Sequence, residues 1–411
     1  MADVPPEAGQ RADANTQAGL QMALLGAGIM ALAVNLRAAI TSLPPVFPEL
    51  SAALHLSAAS IAALAAVPVL CFGLFSGLAA PLSRALGEER VLLAALLLLS
   101  GGLLLRGAAP GVMLFPGTIL AGGAIALMNV LLPSLVKRRR PDRAGLLIGA
   151  YLLILSAGAV AGSLIAVPVF RAAGGAHGGS QWPVKLTLGM WALPAAAAAL
   201  AWLPQARYRT TPGRGGWPGR VAVRRHPLAW QVAAFMGLQS LSYYATLSWL
   251  PTLFQSRGVS AAGAGGLLAL MNLGNAVTAL AIPVLAHRAR DQRLLVAVTM
   301  LASAVGLSGT LLAPTGGAAA WTLVLGLGQG ASLGLAIFFT MARAPHPVAA
   351  ASLSGFAQGC GYLIAAAGPL AVGFLHTATG AWAVPVLALL GVAVLQLWAG
   401  WLAARARTLP G

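Results

Sequence analysis

Apolar residues along this 411-residue chain run in long, nearly unbroken stretches, without the alternation of a half-buried strand or the one-sided stripe of a water-facing helix. A helix crosses the hydrocarbon of a bilayer in about 20 apolar residues. Twelve stretches reach that length, at 20–48, 58–81, 90–108, 112–136, 144–170, 184–204, 227–255, 260–286, 293–313, 317–343, 348–375 and 381–404. The pattern predicts an all-α integral membrane protein with twelve transmembrane helices.

Polar segments between these stretches are short, with one exception. Gln205 to Pro227 holds six arginines together with Pro212, Gly213, Gly215, Gly216, Pro218 and Gly219, which is the composition of an exposed linker. The expected organisation is a disordered cytoplasmic tail at 1–19, a six-helix bundle at 20–204, a cytoplasmic linker at 205–226 and a second six-helix bundle at 227–411. The tail lacks a basic region followed by a short apolar core, so the first helix is expected to stay in the mature protein.

The halves echo one another. The loop after the second stretch reads Pro81-Leu-Ser-Arg84-Ala-Leu-Gly-Glu-Glu-Arg90, and the loop after the eighth reads Val284-Leu-Ala-His-Arg288-Ala-Arg-Asp-Gln-Arg293. Two such bundles related by a repeat are a transporter design, with the solute bound near the midplane between them.

Composition strengthens this picture: 59% of the residues are hydrophobic and 8% charged, and the net charge is +17. The basic residues fall twenty on the side of the termini and four on the other, with Arg37 inside the membrane, so the positive-inside bias puts both termini in the cytoplasm. Topology accounts for the charge without nucleic acid as a partner. Cys71 and Cys360 lie in different stretches and suit no metal or disulfide framework, and are expected as small core residues.

Arg37 changes the picture most. It lies about seventeen positions into the first stretch, where an arginine costs about 2.5 to 3.5 kcal/mol. Every acid except Glu49 is assigned to the tail or a polar loop, so no carboxylate is expected deep in the membrane to neutralise it. A helix-to-helix contact or a snorkelling position is one reading, and a water-filled cavity with a bound anion is the other. Arg106, at the end of the third stretch, is expected to snorkel outward or to lie on an anion's route.

At this point the chain resembles the major facilitator superfamily. Its loop at Arg84 and Gly87 is similar to that superfamily's Asp-Arg-x-Gly-Arg gating motif, with Ser83 in the place of the Asp and Glu88 in the place of the second Arg, and Arg288 marks the counterpart in the second half. Asn35-Leu-Arg37-Ala-Ala-Ile40, Val67-Pro-Val-Leu-Cys-Phe-Gly73, Asn129-Val-Leu-Leu-Pro133-Ser-Leu-Val-Lys137, Gln239-Ser-Leu-Ser-Tyr-Tyr244 and Trp249-Leu-Pro251 together resemble the cyanate and 2-nitroimidazole transporter family. That resemblance implies cyanate-like anions or nitro-aromatic compounds as solutes. Gly149, Gly158 and Gly162 keep the spacing of an antiporter motif with Ser163 in place of its proline, a spacing that close helix packing also explains.

Polar groups inside the stretches are the candidate binding residues: Arg37 and Asn35 in the first, Asn129 in the fourth, Gln239, Tyr243 and Thr246 at i, i+4 and i+7 in the seventh, Asn272 in the eighth, and Gln358 with Tyr362 in the eleventh. Thr41, Ser42, Ser134, Ser240, Asn275 and Ser354 lie near them, and Tyr151, Tyr243, Tyr244, Trp249 and Tyr362 could stack on a planar solute or anchor at the interface.

The expected function is secondary active transport of a small anionic or polar solute across the inner membrane by rocking the two bundles. Its partners are that solute and the lipid bilayer, the protein is expected as a monomer, and no cofactor, metal or catalytic residue is expected. A multidrug or cation exporter would call for buried acids. A membrane-embedded enzyme would need a constellation of acids, metal ligands or Ser and His, whereas the six histidines are scattered over separate loops.

Overall fold

The computed structural model describes residues 8–175, 180–211, 223–405 and 407–409. Twelve long rods follow in chain order: α1 (Ala8–Thr41), α2 (Ala58–Phe75), α3 (Glu88–Ala108), α4 (Pro110–Arg139), α5 (Ala144–Phe170), α6 (Trp182–Gly189 and Ala192–Trp202), α7 (Pro227–Ser256), α8 (Ala261–Arg288), α9 (Arg293–Leu312), α10 (Ala318–Ala342), α11 (Pro347–Thr379) and α12 (Ala383–Ala403). No strand occurs among the described residues.

Eleven of these rods are long and apolar enough to cross a membrane, and α7 falls short on composition alone. It is a full 30 residues long, but Gln231, Gln239, Ser240, Ser242, Tyr243, Tyr244, Thr246 and Ser248 dilute its hydropathy. The rod richest in polar side chains is thus the one whose polar groups have somewhere other than lipid to point.

Several boundaries differ from the expected ones. α1 is helical from Ala8, inside the segment expected as a tail, because its Ala- and Gln-rich stretch favours helix. At its other end Pro44 and Pro45 interrupt the rod with a turn at Pro44–Val46, after which Phe47–Leu54 continues. Residues 212–222, the centre of the expected linker, and the loop around His177 lie outside the described residues.

α6 is broken between its two pieces, and Arg106 explains how the break is held. It is 2% exposed, and its Nε and Nη2 donate to the Leu188 carbonyl at 3.3 and 2.9 Å. Gly107 meets Gly189 there, so no side chain keeps α3 and α6 apart. Arg106 therefore neither snorkels nor lies on a solute route. It ties two helices of one bundle, since a buried guanidinium without a carboxylate is satisfied by a carbonyl that the broken helix leaves available.

The acids also depart from expectation. Glu88 and Glu89 are not in a polar loop but in the first turn of α3, both buried. Ser134 donates to Glu88 at 2.9 Å and the Thr210 backbone N–H donates to Glu89 at 2.8 Å, with Arg138 and Arg139 at 3.5 and 3.7 Å. The positive end of the helix and these donors make burial of two carboxylates tolerable. They lie at the arginine-rich end of the rods, away from mid-membrane.

The two halves meet where α2 packs on α11, where α5 packs on α8, and where the Pro44–Val46 turn packs on α7 and α8. Small residues set the approach within each half. A Cβ on Gly158 would collide with the Val34 carbonyl and one on Gly162 with Ala38, so the glycines of α5 let it lie on α1. Gly326 and Gly330 do the same for α10 against the backbone of Met271 and Asn275 on α8. Gly330→Val is expected to cost about 1 to 3 kcal/mol through overpacking, read as a lowered melting temperature of the purified protein; an unchanged melting temperature would refute the contact.

Candidate substrate-binding site

Arg37 lies near the middle of the candidate span Leu25–Leu54, half-buried and directed toward the second bundle. Its Nη1 donates to the Tyr243 hydroxyl at 3.1 Å, and the guanidinium carbon lies 5.4 Å from the Tyr243 ring centroid and 5.8 Å from that of Tyr244. None of the four ion pairs among the described residues involves it. A desolvated cation–π contact is worth about 2 kcal/mol, so two rings offset much of the placement cost. They do not saturate the fork of N–H donors.

An aromatic cluster closes around this cation from both bundles. Tyr243 and Tyr244 stand 5.1 Å apart edge to face, Phe72 of α2 lies 6.3 Å from Tyr244 and 5.6 Å from Tyr362 of α11, and Tyr244 lies 6.5 Å from Tyr362. Tyr151 of α5 belongs to the same buried cluster. Of the five tyrosines in the sequence, Tyr243 and Tyr244 contact this arginine and Tyr362 packs against Tyr244. The fifth, Tyr208, stacks under Arg139 at 4.2 Å.

A hydrogen-bond chain sets the polarity of Tyr243. Its hydroxyl donates to Asn272 Oδ1 at 2.9 Å while accepting from Arg37, and Asn272 Nδ2 donates to the Leu268 carbonyl at 3.1 Å with Ser163 Oγ at 3.5 Å. The chain leaves the first bundle at α1, passes through α7 and α8, and returns to it at α5. With its proton committed to Asn272, Tyr243 can only accept from Arg37, so the two cannot exchange roles.

Beyond this layer the bundles are sealed at the end opposite the arginines. Phe47 and Trp249 lie 6.2 Å apart, Gln255 Nε2 donates to the Pro45 carbonyl at 3.1 Å, and Trp249 Nε1 donates to the Pro369 carbonyl at 2.9 Å. Trp382 joins Trp249 at 6.1 Å and stacks on His376 at 3.9 Å. Among the described residues, every hydrogen bond and aromatic contact between bundles lies at or beyond the Arg37 layer on this side.

A profile of the Major Facilitator Superfamily matches residues 23–369. The chain belongs to the Major Facilitator Superfamily. Over 92% of its length it is 41% identical to the 2-nitroimidazole transporter of Escherichia coli (strain K12), covering 94% of that protein. It is 30% identical to the cyanate transport protein CynX of the same organism, over 90% of this chain and 95% of that one. Its fold is that of a bacterial homologue of the human lysosomal transporter Spinster, with a TM-score of 0.76 at 14% identity over 95% of this chain and 99% of that one. The D-xylose-proton symporter superposes with a TM-score of 0.74 at 13% identity, over 95% and 100%. The relatives and the fold are those of membrane transporters.

Within this superfamily member the expected site residues divide. Arg37, Tyr243, Asn272 and Tyr362 come together, and Gln358 lies one turn from Tyr362 on the same face of α11, donating to Ser354 Oγ at 2.9 Å. Asn129 is half-buried on α4 with no hydrogen-bond partner among the described residues. Asn35 is not part of the site. Two residues from Arg37 it projects from the opposite face of α1, where its Nδ2 donates to Ala31 and Pro194 carbonyls at 2.8 and 3.3 Å.

Gln239 and Thr246 also turn away. At about 100° per residue, Tyr243 and Tyr244 straddle the direction of Arg37, and Gln239 and Thr246 fall to one side of it. They face the interior of the second bundle, in a narrow polar cavity with Ser242, Gln329 and Gln396, and Gln329 Nε2 donates to Thr246 Oγ1 at 2.8 Å. Thr41 is spent on α5, donating to the Ala159 carbonyl at 2.9 Å, and Trp249 belongs to the seal.

The loop expected to act as a gate shows why its glycine is needed. Gly87 adopts φ +90°, and a Cβ there would lie 2.8 Å from Arg209 Cγ. Arg84 and Arg288 are both exposed. Glu49 lies in Phe47–Leu54 on the sealed side, its Oε2 buried without a hydrogen-bond partner. Phe72 is the site residue that sequence reasoning missed, because an apolar ring within an apolar stretch carries no signal.

The Arg37–Tyr243 contact predicts non-additive substitutions. Arg37→Ala and Tyr243→Phe are expected each to lower the melting temperature of the purified protein, and the double variant to lose less than their sum, with a coupling of about 1.5 to 3 kcal/mol. Additive losses would show that the two side chains do not interact.

Proposed function

We propose that this protein is a secondary transporter for a small, flat anion or electron-rich solute, of the cyanate or nitroimidazole kind, working by alternating rocking of its two bundles. The observation that carries the reading is Arg37: a guanidinium inside a candidate membrane span, with unspent donors, set against the rings of Tyr243 and Tyr244 and paired with no carboxylate among the described residues. Such a fork matches the oxygens of a nitro group, a carboxylate or a similar acceptor, and the rings offer faces for a planar body. The relatives' solutes, 2-nitroimidazole and cyanate, are of this kind.

In this reading the arginine-rich end faces the cytoplasm, both termini lie there, and the bundles are open to that side. The solute takes the N–H donors that Tyr243 does not occupy, with Gln358 and Asn129 as further polar contacts, and its charge is neutralised within the cavity. Rocking about the Arg37 layer would then break the seal of Phe47, Trp249 and Gln255 and close the arginine-rich end. The protein acts in the inner membrane as a monomer.

The test is uptake by the purified protein in liposomes, with cyanate, 2-nitroimidazole, benzoate and the cation ethidium as probes. Saturable movement of a planar anion or of the nitro compound, with ethidium excluded, is expected. Transport of ethidium without any of the others would replace the reading by cation efflux.

A further inference from the structure

The loop between α8 and α9 and the segment after α12 form an open pocket walled by Arg290, Asp291, Arg293, Arg405 and Arg407. Four guanidinium groups against one carboxylate leave a surplus of three positive charges there. Asp291 is already committed to its own loop: its Oδ1 accepts from the Arg293 backbone N–H at 2.9 Å, and its Oδ2 lies 4.0 Å from Arg293 Nε. Arg290, Arg405 and Arg407 have no acid of their own among the described residues.

A buried arginine builds both walls. Arg343, at the end of α10, donates from Nη2 to Gln292 Oε1 at 2.7 Å and to the Ala404 carbonyl at 3.0 Å, and from Nε to the Ala403 carbonyl at 2.8 Å. Its own carbonyl accepts from the Leu409 N–H at 2.9 Å. One wall is fixed through Gln292, the neighbour of Asp291 and Arg293. The other is fixed through the end of α12 and the buried Leu409, which flank Arg405 and Arg407.

The first bundle handles the same position differently. Arg139 at the end of α4 lies 3.0 Å from Gln205 Oε1 and 3.7 Å from Glu89, and Glu89 precedes Arg90 as Gln292 precedes Arg293. An internal carboxylate balances the cations in the first half, and a neutral amide stands in its place in the second. Holding like charges together without a counter-ion is unfavourable, and an external anion relieves it.

The position of the pocket selects the anion. Arg293 lies over the Trp401 ring at 5.3 Å, and Trp401, Trp398 and Leu294 are exposed on the flank of the bundle beside it, where lipid covers a membrane protein. We propose that this pocket binds the headgroup of an anionic phospholipid in the leaflet at the arginine-rich end. The guanidinium forks grip the phosphate, and the acyl chains lie along the Trp398 and Leu294 surface. This holds whether or not the solute assignment does.

The test compares phosphatidylglycerol with phosphatidylcholine by native mass spectrometry and by melting temperature on the full-length purified protein. It uses the wild type, an Arg405→Gln/Arg407→Gln variant and a charge-matched control, Arg224→Gln/Arg225→Gln, all at exposed positions. At about 1 kcal/mol per arginine near the surface, removing two should weaken phosphatidylglycerol retention about ten- to thirty-fold, with the control unchanged. Equal retention by the wild type and the first variant, or no preference for phosphatidylglycerol over phosphatidylcholine, would overturn the proposal. Inorganic phosphate that stabilises the wild type as strongly as the lipid, and fails with the same variant, would assign the pocket to a soluble anion and overturn it equally.

Discussion

A positive charge placed at the middle of a membrane and left without a carboxylate is the constraint on which the rest of the structure depends. Arg37 cannot be abandoned to hydrocarbon, so two rings and the Tyr243 hydroxyl from the opposite bundle gather on it. The contact is also the point where the halves are joined at mid-depth. One interaction therefore sets the chemistry of the candidate site and, in the proposed mechanism, the place about which the bundles would rock.

The tyrosines suit this task because they soften the cost of the cation without cancelling its charge. A carboxylate in the same place would have locked Arg37 in an ion pair and removed its attraction for an anion. The other buried arginines show the contrast. Arg106 and Arg343 are satisfied by carbonyls at helix ends and amides, away from the cavity, and act as ties within their bundles.

Much of this was legible in the sequence, for reasons that can be traced residue by residue. Length and hydropathy mark eleven of the twelve rods because lipid imposes both, with α7 diluted by its polar side chains, and Arg37 stands out because charge in such a stretch is rare. Tyr243 and Asn272 could be singled out as polar groups in apolar rods. Asn35, Gln239 and Thr246 misled because polarity says that a side chain avoids lipid but not whether it turns to the cavity or to its own bundle. Glu88 and Glu89 resembled loop residues since the loop ends at Gly87, a boundary set by one left-handed glycine and invisible to hydropathy. Phe72 gave no signal, because its role comes from the Tyr244 and Tyr362 rings that α7 and α11 bring to it.

The most direct measurement is the affinity of purified, correctly folded protein for 2-nitroimidazole and cyanate with Arg37 intact, as Arg37→Lys and as Arg37→Ala. Two charge-assisted hydrogen bonds at about 1.5 to 3 kcal/mol each predict a loss of at least about a hundredfold for Arg37→Ala, and a smaller loss for Arg37→Lys, which keeps the charge but not the fork. An Arg37→Ala protein that binds its solute as tightly as the unmodified one would contradict the account.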